Sequence, residues 1–334
     1  MSLSIGIVGL PNVGKSTLFN ALTKKSVPAE NYPFCTIDPS VGIIPVPDER
    51  LEKLNEFSKS KKKVPAVVEF VDIAGLVRGA SKGEGKGNDF LQHIRECDAI
   101  AEVVRIFDDP DILHVEGKVD PLSDITTINL ELILADLQTV TKRLGSLQKE
   151  LKSGKKEAVL EESGLKKVAA ALEAEKFARS VWGELDPKEE PFVRNMQLLT
   201  MKPVLYVLNT SEIAENRRDI LEKLDKPYVE VDPIFGKGLE NLIQKAYETL
   251  DLITYFTTGE DETRGWTVKR GSTAPEAGTA IHTDFKDKFI RAEVIEWDKL
   301  LEAGSYASAR ERGLLRTEGK TYIVQDGDVV EFKI

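Results

Sequence analysis

The chain has 334 residues, of which 41% are hydrophobic and 31% are charged, and its formal net charge is −10. This length exceeds one ordinary domain, and the composition is that of a folded protein rather than of a disordered chain. No apolar run approaches the ~18–20 residues that a membrane-spanning helix needs, and an acidic chain is a poor general binder of nucleic acid.

A glycine-rich segment follows the first predicted strand, residues 4–8. It reads Gly9-Leu-Pro-Asn-Val-Gly14-Lys15-Ser16 and fits the pattern G-x-x-x-x-G-K-[ST], with a helix predicted directly after it. Glycines let the backbone curl until its N–H groups point at phosphate oxygens, and the helix N-terminus adds its positive end. We expect Lys15 to reach the β- and γ-phosphates of a nucleotide and the Ser16 hydroxyl to bind Mg²⁺.

Three more residues are expected at the same nucleotide. Thr36 lies in a proline-bounded loop from which it would swing in as a second Mg²⁺ ligand. Asp72 follows a predicted strand, and an acidic side chain at the carboxyl end of a strand is suited to holding Mg²⁺. The backbone N–H of Gly75 would meet the γ-phosphate. Residues 28–40 and 72–91 are therefore predicted to be switch loops that close on the nucleotide.

Four lysines, Lys59 and Lys61–Lys63, form a basic cluster between these segments. The cluster is either a solvated loop or a contact for a polyanion. Short β-branched runs at 4–8, 67–73 and 203–208 alternate with helical stretches, which is typical of a parallel α/β sheet.

Residues 128–151 have a different pattern, in which leucine, isoleucine and valine recur at alternating spacings of three and four. This heptad seam predicts a long helix, and a polar break at 153–156 precedes a second helical pattern. We expect an inserted antiparallel helical coiled-coil hairpin over residues 128–196; the alternative is two surface helices of the main domain. The predicted seam consists of Leu130, Ile133, Leu137, Val140, Leu144, Leu147 and Leu151.

After Leu252 the sequence pattern changes again, with short strand candidates around one helical stretch. A small separate α+β domain is predicted over 256–334, while 1–127 and 197–255 form the nucleotide-binding domain. The strand candidates are 266–268, 279–282, 291–295, 322–324 and 329–332.

The segment Asn209-Thr210-Ser211-Glu212 follows the strand at 203–208, where a GTPase would carry N-K-x-D. The aspartate of that motif accepts both guanine N–H donors in a bidentate pair. Glu212 is one methylene longer, and Thr210 replaces the lysine that packs on the base. Discrimination for guanine is therefore predicted to be weak, and adenine becomes acceptable.

Through these segments the chain resembles the Obg-like ATPase family, called YchF in bacteria. The resemblance covers essentially the whole chain and includes GLPNVGKSTLFNALT at 9–23, NYPFCTIDP at 31–39, EFVDIAGLVRGASKGEGKGNDFL at 69–91 and NTSE at 209–212. It implies a P-loop NTPase domain, a helical insertion and a C-terminal β-grasp-like TGS domain. It also implies hydrolysis of ATP in preference to GTP, binding to the ribosome through the large subunit, and a role in translation and stress responses.

The resemblance also assigns roles to single residues. Asn12, Val13, Gly14, Lys15, Ser16 and Thr17 would hold the phosphates, Ser16 and Thr36 the Mg²⁺, and Asn209–Glu212 the base. Asn12 also matches an asparagine that holds K⁺ beside the phosphates in potassium-stimulated relatives.

Two positions depart from the pattern of GTPases. Leu76 stands where many of them carry a water-orienting glutamine, and a leucine cannot polarise water. The resemblance supplies His114, a loop histidine that would approach the attacking water. The second departure is Asp232-Pro233, where a small Ser-Ala pair is usual, and the proline removes one backbone donor from the purine pocket.

We therefore expect a cytoplasmic ATPase switch, since no signal peptide is evident and two cysteines, Cys35 and Cys97, make neither a disulfide framework nor a zinc site. A monomer is expected. The alternatives are a GTP-specific switch of the same fold and a nucleotide-gated ribosome or RNA adaptor with incidental hydrolysis. A ribosome contact would need clustered cations, either the Lys59–Lys63 cluster or Lys152, Lys155 and Lys156 at the hairpin tip.

Overall fold

The computed structural model describes residues 3–27, 38, 40–73, 86–107, 119–210, 222, 224 and 227–334. In this part of the chain, no helix has the length and hydropathy needed to cross a bilayer. The described strands are β1 (Ser4–Val8), β2 (Val41–Pro45), β3 (Lys62–Val64), β4 (Val67–Asp72), β5 (Ala99–Arg105), β6 (Val204–Asn209), β7 (Tyr228–Val231), β8 (Leu252–Thr258), β9 (Glu262–Lys269), β10 (Arg291–Glu296), β11 (Arg316–Glu318) and β12 (Asp328–Lys333).

The described helices follow the same chain order. Short 3-10 helices at Ala178–Glu184 and Leu199–Met201 lie between the longer ones. The α-helices are α1 (Lys15–Thr23), α2 (Glu49–Ser58), α3 (Lys86–Glu96), α4 (Pro121–Lys152), α5 (Lys156–Glu173), α6 (Glu190–Asn195), α7 (Leu239–Thr249), α8 (Ala274–Gly278), α9 (Asp284–Lys288), α10 (Trp297–Ala303) and α11 (Tyr306–Glu311).

The first sheet has six strands in the order β2-β4-β1-β5-β6-β7. β1, β5, β6 and β7 run parallel, with Ile5 opposite Ala99 and Asn209 opposite Val231. β1 and β6 are buried on both faces, as their apolar runs predicted, and β5, which was not predicted, is buried along its whole length. The carboxyl ends of these parallel strands lie at one edge of the sheet, where ligands bind in open α/β folds.

The chain forms two compact units. One consists of Ile5–Phe19 and Val71–Gly236, and it holds the glycine-rich segment, β5, β6, β7 and the long helices α4 and α5. The other consists of Met1–Ser4, Asn20–Phe70 and Lys237–Ile334. The domain boundaries drawn from the sequence stay predictions.

A helical hairpin is present as predicted, with its turn at 153–155. Asp120 caps α4 by accepting a hydrogen bond from the backbone N–H of Ser123, and Gly154 turns with a φ of 75°. Arg143 on α4 makes a bidentate ion pair with Glu161 on α5, at 2.6 and 2.7 Å. The two helices are thereby joined by charge as well as by apolar contact.

The predicted seam needs two corrections. α4 begins at Pro121, earlier than the predicted 128, because the Asp-Pro pair there caps and starts it. Leu130 is 38% exposed, while Ile133, Val140 and Leu147 are buried. Leu130 therefore does not belong to the buried face of α4, whose first apolar residues are Ile125, Ile128 and Leu132.

The second sheet has the order β11-β10-β12-β8-β9-β3 and lies within the second unit. Its strand β3 comes from the first part of the sequence and pairs with β9 in parallel. Leu51 and Leu54 of α2 are buried in the same apolar cluster as Phe256, Ile295 and Leu300. The C-terminal strands therefore share a core with residues of the segment 49–64.

Two of the C-terminal strand predictions are wrong. Residues 279–282 follow α8, whose capping box joins Thr273 and Glu276 and whose last turn continues to Thr279. Residues 322–324 contribute only an isolated bridge between Ile323 and Thr273. Both segments have β-branched or aromatic residues, but local capping and turns determine their conformation.

Candidate functional site

The loop between β1 and α1 curls through left-handed backbone at two positions. Asn12 has a φ of 63° and Gly14 a φ of 94°; asparagine and glycine are the residues that best tolerate this region. The N–H of Leu18 donates to the Gly14 carbonyl at 2.9 Å, so the first turn of α1 begins at Gly14. The N–H groups at this helix end have no partner within the helix and form a cradle for anionic oxygens.

Asn209, the last residue of β6, fixes the position of this loop through a hydrogen bond. Its Nδ2 donates to the carbonyl of Val13 at 2.8 Å, and the side chain is buried. A Cβ on Gly14 would lie 2.2 Å from the same Nδ2, which real structures do not allow. Gly14 is therefore required by this contact as well as by its backbone conformation.

The sequence interpretation assigned Asn209 to the base and missed this contact. Its position at the end of a strand neighbouring β5 was the available signal, but nothing in the local pattern connects it to Val13. Gly9 has a comparable constraint, because a Cβ there would lie 2.7 Å from the Val103 carbonyl.

Lys15 lies where the motif predicts, at the first position of α1. Its side chain is buried, and Nζ donates to the carbonyl of Leu10 at 2.7 Å. Burial lowers the pKa of Lys15 to about 8, although the nearby carboxylate of Asp72 opposes that shift. The ammonium group is thus poorly solvated, and an anion placed beside it would find a strong partner.

Asp72 ends β4 within electrostatic range of Lys15. The N–H of the next residue, Ile73, donates to the carbonyl of Ile7 on β1 at 3.3 Å, which aligns the two strand ends. Burial raises the pKa of Asp72, and the attraction of Lys15 opposes the shift. A partly desolvated carboxylate of this kind gains from a cation.

The donor set fits a magnesium ion. Asp72 offers a carboxylate, and the exposed hydroxyl of Ser16 follows Lys15 on α1; both are hard oxygen donors of the type Mg²⁺ prefers. Among the residues that the structure describes, no cluster of three or more histidine, cysteine or acidic side chains could hold a metal by itself. Such sparse protein ligation is typical of Mg²⁺ bound together with nucleotide phosphates.

A second loop, following β7, borders the end of β6. The N–H of Thr210 donates to the carbonyl of Val231 at 2.9 Å, and Asp232 Oδ1 accepts from the N–H groups of Ile234 and Phe235, each at 3.1 Å. Asp232 therefore stabilises this turn, at the position where the GTPase pattern usually has a serine. Ile234 and Phe235 project outward, 77% and 72% exposed.

Several predicted site residues lie outside the described part of the chain. Asn12, Val13, Gly14, Lys15, Ser16, Thr17, Asp72, Asn209 and Thr210 are described, and the structure brings Val13, Gly14 and Asn209 into direct contact. Thr36, Gly75, Leu76, His114, Ser211 and Glu212 lie outside the described residues. The binding and catalytic roles of all the predicted site residues remain predictions.

Comparison with known proteins identifies the family. A family described as 50S ribosome-binding GTPase matches residues 4–150, and the YchF-type GTPase C-terminal family, described as a protein of unknown function (DUF933), matches residues 252–334. The ribosome-binding ATPase YchF of Bacillus subtilis (strain 168) is 50% identical over 365 residues, covering 100% of this chain and 99% of that protein. The chain belongs to the YchF/Obg-like ATPase family.

Other members of the YchF/Obg-like ATPase family agree in length and fold. Obg-like ATPase 1 of Gallus gallus is 41% identical, with 99% of this chain and 92% of that protein covered. The solved structure of the Schizosaccharomyces pombe YchF GTPase superposes with a TM-score of 0.85 at 37% identity, over 99% of this chain and 98% of that one. The predicted α/β P-loop fold and the family resemblance are thereby confirmed.

Replacing Gly14 with alanine is expected to destabilise the protein by about 2–3 kcal/mol, because the left-handed backbone and the contact with Asn209 both oppose a Cβ. Gly154→Ala at the hairpin tip is the matched control: its φ is 75°, but nothing lies within 4 Å of its added Cβ, so it should cost about 1 kcal/mol. Urea unfolding measures both. In an Asn209→Ala background, Gly14→Ala should lower the free energy of unfolding by less than it does in the native chain. Equal losses from Gly14→Ala in the native chain, Gly14→Ala in the Asn209→Ala background and Gly154→Ala would contradict the steric role of Asn209.

Proposed function

We propose that the chain is a Mg²⁺-dependent ATPase that binds ribosomes and acts as a molecular switch in translation and stress responses. The main observation that supports nucleotide hydrolysis is the buried side chain of Lys15, which lies near Asp72. Lys15 directly follows the loop whose left-handed turn Gly14 permits. The names of its relatives support the rest: the Bacillus subtilis protein is a ribosome-binding ATPase and the chicken protein an Obg-like ATPase.

In this proposal the loop amides, Lys15 and Thr17 hold the phosphate groups. Ser16, Thr36 and Asp72 would hold Mg²⁺, which, when bound, neutralises charge on the β- and γ-phosphates. Asn12, whose left-handed conformation turns the loop, is the residue proposed to hold K⁺. Faster turnover in K⁺ than in Na⁺ at equal ionic strength would support that last role.

Hydrolysis requires a group that orients water, and Leu76 cannot be that group. We assign the role to His114, whose imidazole can accept a proton near neutral pH. Gly75 would meet the γ-phosphate through its N–H and thereby connect the switch segments 28–40 and 72–91 to the state of the nucleotide.

Two substitutions separate binding from turnover. Lys15→Ala should lower the affinity for ATP by at least about 100-fold, since it removes a buried charge partner of the phosphates. His114→Ala should leave the affinity unchanged and slow turnover by about 100-fold. Titration with a fluorescent ATP analogue and phosphate release measure the two effects. Unchanged turnover in His114→Ala would remove the catalytic assignment, and tight binding by Lys15→Ala would remove the phosphate site.

The preference for ATP rests on the base segment. Thr210 cannot pack on the base as a lysine would, and Glu212 is too long for the bidentate guanine pair. Guanine recognition is therefore incomplete in this chain, which supports ATP as the main substrate.

The double substitution Thr210→Lys with Glu212→Asp restores the guanine-binding pattern and should shift the ratio of GTP to ATP affinity by about tenfold or more toward GTP. Competition of unlabelled ATP and GTP for the same fluorescent nucleotide measures that ratio. Thr210→Arg with Glu212 kept is the control, because it adds the charge without the shorter carboxylate. If the native chain already binds GTP about tenfold more tightly, it is a GTP-specific switch.

The charges of the described residues favour one ribosome contact over the other. Three lysines of the Lys59–Lys63 cluster are paired: Lys61 with Asp261 at 2.8 Å, Lys62 with Glu262 at 3.6 Å and Lys63 with Glu52. At the hairpin tip, Lys155 pairs with Glu150 at 3.2 Å, while Lys152 and Lys156 are exposed and make no ion pair with a described carboxylate. The hairpin tip is therefore favoured over the Lys59–Lys63 cluster as the contact for a polyanion.

We propose the hairpin tip as a contact for ribosomal RNA of the large subunit, a choice supported by the description of the family that matches residues 4–150. The protein would act there as a monomer in the cytoplasm.

Reversing the tip charges with Lys152→Glu and Lys156→Glu should reduce co-sedimentation with ribosomes by about tenfold at moderate salt. Lys61→Glu with Lys62→Glu is the charge-matched control and should change it little, because those cations are already paired. Equal losses would place the contact elsewhere. No co-sedimentation of the native chain, with or without a non-hydrolysable ATP analogue, would contradict ribosome binding, and ATP-gated association with unmeasurable turnover would favour an adaptor.

A further inference from the structure

A cleft of about 1350 Å³ lies within the unit that contains the phosphate loop, but its walls come from other elements. It is bordered by the end of α3, the residues that precede β5 and β6, one side of α4, and the segment from 175 to 198 that contains α6. β5 and β6 begin at this cleft, whereas the nucleotide residues lie at their carboxyl ends. The cleft is therefore separate from the proposed ATP site.

The charge of the cleft is opposite to that of the chain. Three carboxylates line it, from Glu96, Asp98 and Glu175, against five cationic side chains. A chain of net charge −10 thus presents a locally positive concavity, which concentrates anions. The cationic residues are Arg95, Lys176, Arg179, Arg194 and Lys202.

Two of the guanidinium groups lie over aromatic rings. The Arg179 guanidinium carbon is 5.5 Å from the centroid of Phe177, and that of Arg194 is 4.9 Å from the centroid of Trp182. Cation–π contacts of this kind hold the planar groups in fixed orientations. A guanidinium group of this kind has N–H donors at its edge and a planar face of the type on which a base stacks.

These arginines are weakly neutralised by the protein. Arg179 Nη1 donates to the carbonyl of Lys202 at 3.5 Å and has no ion pair with a described carboxylate. Arg95 Nη2 donates to the Thr139 hydroxyl at 3.3 Å, and the Arg95 guanidinium interacts electrostatically with Asp136. Among the carboxylates that the structure describes, Arg194 pairs with Glu190, at 3.8 Å. Burial lowers the pKa of Arg179, and a phosphate beside it would offset the lost hydration.

We propose that this cleft binds a segment of single-stranded RNA. Phosphodiester oxygens fit the cationic edges, and stacked bases fit the planes that Phe177 and Trp182 hold in place. The volume exceeds the range of about 300–1000 Å³ of small-molecule sites, which favours an extended ligand over a single nucleotide. An acidic peptide would use the charge but not the stacking planes. The inference rests on the proposed ribosome-binding function, for which it names a second RNA contact.

The test is fluorescence anisotropy of a fluorescein-labelled oligouridylate with the full chain. Arg194→Glu, at an exposed position, should raise the Kd by about tenfold. Arg179→Gln should also raise the Kd, and it should change the salt dependence of binding less than Arg194→Glu does, because it removes a charge without reversing it. Lys142→Glu, an exposed cation of the same unit outside the cleft, is the control and should change the Kd less than about twofold. Circular dichroism melting verifies that each variant is folded.

Three outcomes would overturn the inference: no binding of the oligouridylate by the native chain, equal losses in Arg194→Glu and Lys142→Glu, or displacement of the RNA by polyglutamate at the same charge concentration. ATP turnover and ribosome co-sedimentation of the native chain, measured on the same preparation, test the proposed function separately. If both persist while the oligouridylate fails to bind, only the cleft assignment is wrong.

Discussion

The side chain of Asn209 donates a hydrogen bond to the carbonyl of Val13, and the phosphate-binding loop depends on that contact. It fixes one peptide of the loop against the end of β6, which is buried in the parallel sheet. The loop can accept this donor only because Gly14 has no side chain. A rigid strand thus sets the direction of the loop amides before a nucleotide arrives, and such preorganisation lowers the entropy lost on binding.

The same site keeps two opposite charges in partial burial. Lys15 loses hydration and its pKa falls to about 8, while the pKa of Asp72 rises for the same reason. Each residue is thereby prepared for a stronger partner, the lysine for phosphate and the aspartate for a cation. A triphosphate with Mg²⁺ supplies both partners, so the electrostatics of the site match the proposed ligand.

The second unit shows how the chain connects distant segments. Arg50 on α2 pairs with Asp48 at its own helix start and with Asp326 near the C-terminus, at 2.8 and 2.7 Å. Asp326 also accepts a hydrogen bond from the N–H of Thr254 on β8. α2 follows β2, which begins just after the segment predicted to carry Thr36. The C-terminal sheet is therefore tied to residues directly downstream of a predicted switch loop.

The sequence by itself determined the phosphate loop, the strand–loop–helix around it, the position of Asp72, the turn of the helical hairpin and the family. Each of these depends on a local pattern: a glycine that must adopt positive φ, a strand followed by a helix, or a polar break in an apolar seam. The tertiary structure alone decided the contact of Asn209 with the phosphate loop, the ion pairs of Lys61, Lys62 and Lys63, and the cleft at the start of β5 and β6. Asn209 and Val13 are 196 positions apart, and Lys61 and Asp261 are 200 apart. Spacing along a chain cannot reveal such contacts, because the fold brings those residues together.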